Sequence, residues 1–146
     1  MRTSNIAWEQ VQEGQDLPEL EIPITTRLIA KMVSGTRDIS PLHHDKEMAN
    51  EGGYRDVFTN TMWYQGVLGR FATDWAGPEA FLRKLKFNMR KPNYQGETVV
   101  VRGRITRKYI DRDMKLVDID ATIHNVSTAE QSVIAKLSLE MAPGGR

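Results

Sequence analysis

Thr59-Asn60-Thr61-Met62-Trp63-Tyr64-Gln65-Gly66-Val67-Leu68-Gly69-Arg70-Phe71-Ala72-Thr73-Asp74-Trp75 is the stretch on which the fold turns. It runs without proline, and Met62, Leu68, Phe71, Ala72 and Trp75, joined by Trp63, Tyr64 and Val67, give apolar cover around much of a helical circumference. A helix of that kind is buried, so other elements must wrap it. After Gly77-Pro78 the texture changes to the period of two that marks strands, in Phe81 to Met89, Thr98 to Arg107, Leu116 to His124 and Ser132 to Met141. Turn residues separate them: Pro92-Asn93-Tyr94-Gln95-Gly96, Asp111-Arg112-Asp113 and Asn125-Val126-Ser127-Thr128. The pattern is that of four successive strands in a meander.

Upstream, a lead-in from Trp8 containing Gly14, Pro18 and Pro23 gives way to Ile22, Ile24 and Thr26, which alternate as a first strand. Leu28, Ile29, Met32 and Val33 recur at helical spacing, and Gly35 reads as the stop of a short helix. Pro41 makes Thr36 to Asp45 a loop, and Asp45 is placed to cap a two-turn helix, Lys46-Glu47-Met48-Ala49-Asn50-Glu51, before Gly52-Gly53. One face of a sheet needs apolar cover and the long helix supplies it, which makes the chain α+β: an antiparallel sheet around a central helix. A single domain over residues 1–146 accommodates all of this, with Pro143-Gly144-Gly145-Arg146 as a frayed tail.

Composition narrows the function classes. A formal net charge of +1 gives no global field to attract nucleic acid or an anionic membrane, and no interleaved basic and aromatic motif calls for either partner. With no cysteine there are no disulfides, thiolate nucleophiles or Cys-ligated metals, which suits a cytoplasmic setting. Met1 to Glu9 lacks the apolar run of a signal peptide, and no segment reaches the ~18 apolar residues of a membrane span.

The richest chemical segment is Arg37-Asp38-Ile39-Ser40-Pro41-Leu42-His43-His44-Asp45. A carboxylate and an imidazole five residues apart, across a turn stiffened by Pro41, can hold one water between them with the imidazole as proton acceptor, an arrangement suited to hydration chemistry. The alternative reading is a pair that merely stabilises the loop. His44, whose side chain points away from its neighbour's, reads as a solvent or interface residue, and His124 as a structural histidine late in a strand. Adjacent histidines are poor chelators and no further ligand stands nearby, so no metal is expected.

The order Ser34-Gly35, then Asp38-x-Ser40-Pro41-Leu42-His43, then Ala49 six positions on, resembles the hydratase motif of the MaoC-like family, S-G-D-x-N-P-L-H-x5-A. The likeness extends to the lead-in, the helix after the motif, the strand–Gly–strand unit around Gly96 and the late strands, so it covers nearly the whole chain. It implies a hot-dog fold, five or six antiparallel strands around the helix, and reversible (R)-specific hydration of trans-2-enoyl-CoA thioesters, including ones with a bulky acyl group such as a steroid side chain, since the family includes heteromeric subunits of that kind. By position, His43 would take a proton from water, Asp38 would hold that water and help protonate the α-carbon, Ser40 would orient the loop, and the backbone N–H of Thr61 would meet the thioester oxygen as it becomes enolate-like. Coenzyme A enters as part of the substrate and no separate cofactor is implied.

Three departures accompany the resemblance. Thr36-Arg37 stands between Gly35 and Asp38, which would lengthen the loop entrance; Ser40 replaces the usual Asn; and Thr59-Asn60-Thr61 lies where a His-Gly pair is common. Asn60, Met62 and Trp63 are candidate substrate contacts, although Trp63, Tyr64, Phe71 and Trp75 read first as core or dimer seam. Arg83, Lys84, Lys86, Arg90 and Lys91 either neutralise the phosphates of CoA or form the solvated face of a strand. A hot-dog sheet leaves an edge and a helix flank exposed, which implies a homodimer or larger homo-oligomer, or a heteromer with a second MaoC-like chain. The rivals are a thioesterase on the same fold and a non-catalytic or partner-dependent subunit.

Overall fold

A computed structural model describes residues 5–142; residues 1–4 and the expected tail Pro143-Gly144-Gly145-Arg146 lie outside the described residues. After a 3-10 turn at Trp8–Gln10 come β1 (Leu20–Pro23), α1 (Thr26–Thr36), a second 3-10 turn (Pro41–His43), α2 (Lys46–Glu51), α3 (Thr61–Ala76), β2 (Phe81–Met89), β3 (Thr98–Asp111), β4 (Met114–Asn125) and β5 (Gln131–Glu140). The capping of α2 follows the sequence: Asp45 Oδ1 accepts the N–H groups of Glu47 and Met48, at 3.0 and 3.2 Å.

The five strands form one antiparallel sheet in the order β1-β3-β4-β5-β2. Only β3, β4 and β5 make the expected meander. β2 crosses to the far side and pairs with β5, Lys86 opposite Lys136 and Phe87 opposite Ala135, so the four-strand meander read from the sequence is corrected to three strands plus a crossover. Turn residues mark where a chain reverses, and they say nothing about which strand a distant edge will choose.

Alternation along the strands separates the two faces. Val99, Val101 and Ile105 of β3, Val117, Ile119 and Ile123 of β4, and Val133, Leu137 and Leu139 of β5 point inward and are fully buried. Against them α3 lays Val67, Leu68, Phe71, Ala72 and Trp75. Gly103 of β3 lets the helix come close: a Cβ there would stand 2.7 Å from the Phe71 ring and 3.2 Å from Ile119 Cγ2. On the opposite face, Arg102, Arg104, Asp120 and Lys136 are exposed.

The lead-in runs beside β3, with the N–H of Leu17 donating to the Gly103 carbonyl at 2.8 Å and that of Ile105 to the Gln15 carbonyl at 2.9 Å. The Trp8 indole N–H donates to the Leu116 carbonyl at 3.2 Å, and Lys108 Nζ stands 4.2 Å above its ring.

The first helix is longer than expected. α1 does not stop at Gly35; it continues to Thr36 and ends at Arg37, which takes the left-handed conformation (φ 54°) that glycine usually supplies. The loop entrance to Asp38 is therefore not lengthened, because the helix absorbs Gly35 and Thr36.

Candidate active site

Three short segments meet at the N-terminal end of α3. The end of α1 brings Thr36, the loop after it and its 3-10 turn bring Asp38 and His43 respectively, and an irregular segment before α3 brings Phe58, Thr59 and Asn60.

His43 is held on one side. Its Nδ1 lies 2.9 Å from the Phe58 carbonyl, a group that only accepts, so Nδ1 bears the proton and Nε2 presents a lone pair in the neutral ring. The Phe58 ring meets the imidazole edge-on, with centroids 4.9 Å apart. Nε2 faces Asp38 Oδ2 at 3.4 Å, and both side chains are mostly buried, 12% and 22% exposed. Two acceptors at that separation do not bond to each other. They can take the two protons of one water, which leaves the water oxygen's lone pairs free for an electrophile.

Asp38 is oriented from two directions. Its Oδ1 accepts the Ser40 N–H at 3.3 Å, and its Oδ2 accepts from Asn60 Nδ2 at 3.0 Å. The orienting role expected of Ser40 thus falls to its backbone rather than its hydroxyl: its N–H bonds Asp38 and its carbonyl accepts the His43 N–H at 3.1 Å.

Asn60 is 2% exposed and its carboxamide is fully used. It donates to Asp38 and to Thr36 Oγ1 (2.9 Å), and its Oδ1 accepts the Trp63 N–H (2.9 Å), capping α3. The sequence suggested a substrate contact; the structure puts Asn60 behind the carboxylate, locking Asp38 to the helix end. Thr36, absent from the candidate residues, belongs to this group, and its threonine two residues before the acid was the available signal.

With the Trp63 N–H given to the cap and the Tyr64 N–H to the Asn60 carbonyl (3.4 Å), the N–H groups of Thr61 and Met62 are those left at the first turn for an outside acceptor. Thr61 and Met62 are exposed, and Trp63 is half-buried with its ring 5.1 Å from that of Tyr64. Behind this surface, burial pushes the Tyr64 phenol above its ordinary pKa despite hydrogen bonds from Thr59 and Asn93, so it stays protonated.

The remaining candidates are more dispersed. Arg83 is paired with Glu140 and lies 4.6 Å over the Phe81 ring; Lys91 is paired with Glu130; Lys84, Lys86 and Arg90 are exposed. His44 Nε2 lies 3.2 Å from the Ile39 carbonyl on the surface, and His124 Nε2 lies 3.1 Å from Thr122 Oγ1, both apart from the pair.

No family model matches the chain. It is 34% identical over 93 residues to the 3-oxo-4,17-pregnadiene-20-carboxyl-CoA hydratase beta subunit of Mycobacterium tuberculosis, an alignment covering 64% of this chain and 72% of that one. Its structure is similar to a chain in the crystal structure of the ChsH1-ChsH2 complex from Mycobacterium tuberculosis, with a TM-score of 0.82 and 30% identity, covering 90% of this chain and 99% of that one. The chain belongs to the MaoC-like hydratase family. The hot-dog architecture is shared also with the unliganded R-hydratase PhaJ1 from Pseudomonas aeruginosa, at a TM-score of 0.82 and 18% identity over 94% of this chain and 86% of that one.

The MaoC-like motif has Gly directly before its Asp, and in this member the left-handed residue directly before Asp38 is Arg37. Ser34-Gly35 lies within α1, and Thr36-Arg37 are the two residues that directly precede Asp38.

Proposed function

We propose that this chain is an (R)-specific enoyl-CoA hydratase and 3-hydroxyacyl-CoA dehydratase with Asp38 and His43 as its catalytic pair. The observation that carries the reading is the placement of the His43 ring, with Nδ1 against the Phe58 carbonyl and Nε2 facing Asp38 Oδ2 at a separation that one water can bridge. In the forward direction His43 takes a proton from that water as its oxygen bonds to the β-carbon. Electron density moves to the thioester oxygen, which the N–H of Thr61 meets at the positive end of α3, and the proton passes by way of Asp38 to the α-carbon. Water is thus added across the double bond, and dehydration is the same path reversed. One such N–H donor is worth ~3 kcal/mol in the transition state.

Kinship with the pregnadiene-carboxyl-CoA hydratase subunit supports a bulky, steroid-type acyl group, and the ChsH1-ChsH2 complex supports assembly with a second MaoC-like chain. Exposed Met62 and half-buried Trp63 at the helix end would line the acyl path, and Lys84, Lys86 and Arg90 would face the phosphates of CoA. Among the described residues no helix is long and apolar enough to cross a membrane, and with no cysteine in the chain a cytoplasmic setting fits.

The test is loss of the conjugated-thioester absorbance from crotonyl-CoA and from longer or steroid-type trans-2-enoyl-CoA substrates, by the chain alone and mixed with a second MaoC-like chain. Turnover without free CoA, lost in Asp38→Asn and His43→Gln, is expected. Release of free CoA would replace the reading by a thioesterase, and absence of turnover in both settings would leave a binding subunit.

A further inference from the structure

The segment that fixes the catalytic pair has little structure of its own. Residues 55–60 lie in neither a helix nor a regular strand, yet the Phe58 carbonyl sets the His43 ring and the Asn60 carboxamide sets Asp38. Besides the Asn60 bonds and the ion pairs of Arg55 with Glu97 and Asp56 with Lys46, its main-chain pairing is a single isolated bridge, Phe58 opposite Tyr94: the Thr59 N–H donates to the Asn93 carbonyl at 3.1 Å and the Gln95 N–H to the Val57 carbonyl at 3.0 Å.

Asn93 is completely buried. Its Nδ2 donates to Tyr64 Oη at 2.7 Å and to Ser132 Oγ at 2.9 Å, and its Oδ1 accepts from Asn125 Nδ2 at 3.3 Å. The hydroxyls of Thr59 and Tyr64 share a hydrogen bond of 2.6 Å, and Asn125 Nδ2 also reaches buried Glu97 at 2.7 Å. The Asn93 side chain therefore joins α3 to the end of β4 and the start of β5, and the irregular segment is reached through its main-chain carbonyl, which accepts the Thr59 N–H, and through the Tyr64 hydroxyl, which accepts from Thr59 Oγ1. Among the described residues no buried side-chain polar atom lacks a hydrogen-bond partner, those of this network included.

We propose that Asn93 is a positioning residue for the catalytic pair, acting through Thr59 and Tyr64 to hold Phe58 and Asn60 at the places that orient His43 and Asp38. Its kinetic consequence rests on the hydratase reading, whereas its structural consequence does not. The full chain, labelled with 15N at histidine, is compared with Asn93→Ala and with Tyr64→Phe, which removes one oxygen and keeps the shape. In the wild type His43 should show the single Nδ1–H tautomer. In Asn93→Ala it should become a mixture of tautomers while His124 is unchanged, and kcat should fall about 10- to 100-fold with KM within about twofold, because an ångström of misplacement is enough to cost that much. Tyr64→Phe should move both readouts the same way by less. Folded variants that keep the wild-type His43 spectrum and kcat overturn the proposal, as does a kcat that drops only with the folded fraction. Should Asn93→Ala not fold, Tyr64→Phe decides. If the wild type hydrates no thioester, the functional reading falls and the His43 spectra still decide the positioning role.

Discussion

The two ends of α3 are built from different physics. Toward its C-terminus Leu68, Phe71, Ala72 and Trp75 enter a dry cleft where shape and area matter and direction matters little. At its N-terminus Asn60, Thr59, Tyr64 and Asn93 form a buried set of directional bonds, each group depending on its neighbour's exact donor or acceptor. The apolar end decides whether the chain folds. The polar end decides where two side chains of the loop stand, so damage there should register in catalysis more than in stability.

The largest separation is expected at the pair itself. His43→Gln should lower turnover by ~10³ to 10⁴-fold, near the upper range of acid–base contributions, while urea titration shows only a modest change in stability. Leu68→Ala should do the opposite: a loss of ~2–5 kcal/mol on denaturation, with kcat per folded molecule retained. If Leu68→Ala reduced kcat as strongly as His43→Gln, the division between the two ends would be wrong. Asn60→Ala lies between them. Losing the cap should cost ~1 kcal/mol, and losing the bond to Asp38 should lower kcat by ~10-fold with KM nearly unchanged, read from parallel melts and steady-state kinetics. The smallest effect is expected at Arg37→Gly. Relief of the left-handed strain, ~1–2 kcal/mol, less the ~0.5–1 kcal/mol of added unfolded freedom, should leave a gain of ~0.5 kcal/mol in the urea midpoint analysis.

What could be read from sequence follows the same division. The period of α3, the alternation of the strands and the Asp45 cap are local signals, and each appears in the structure within a few residues of its expected place. The partner of β2 did not show, because pairing Phe81–Met89 with β5 is a choice between distant segments. Asp38 and His43 stood out as residue types at a telling spacing, whereas the group that sets the imidazole is a main-chain carbonyl, which every residue has and no side chain advertises. Asn60 was visible only as a departure beside the helix, and Asn93 was hidden in a run of turn formers; both gain their roles from what lies across the fold.

The crossover of β2 also sets an order of events during synthesis. Residues 36 to 60 leave the ribosome before residues 131 to 140, yet Asn93 bonds to Ser132, and among the described residues β2 finds its strand partner in β5, the last of the five described strands. Until residues 131 to 140 have been made, the acid and the base lack the framework that aligns them, and α3 waits with an incomplete sheet around it. The framework is complete only once residues 131 to 140 join β4 to β2.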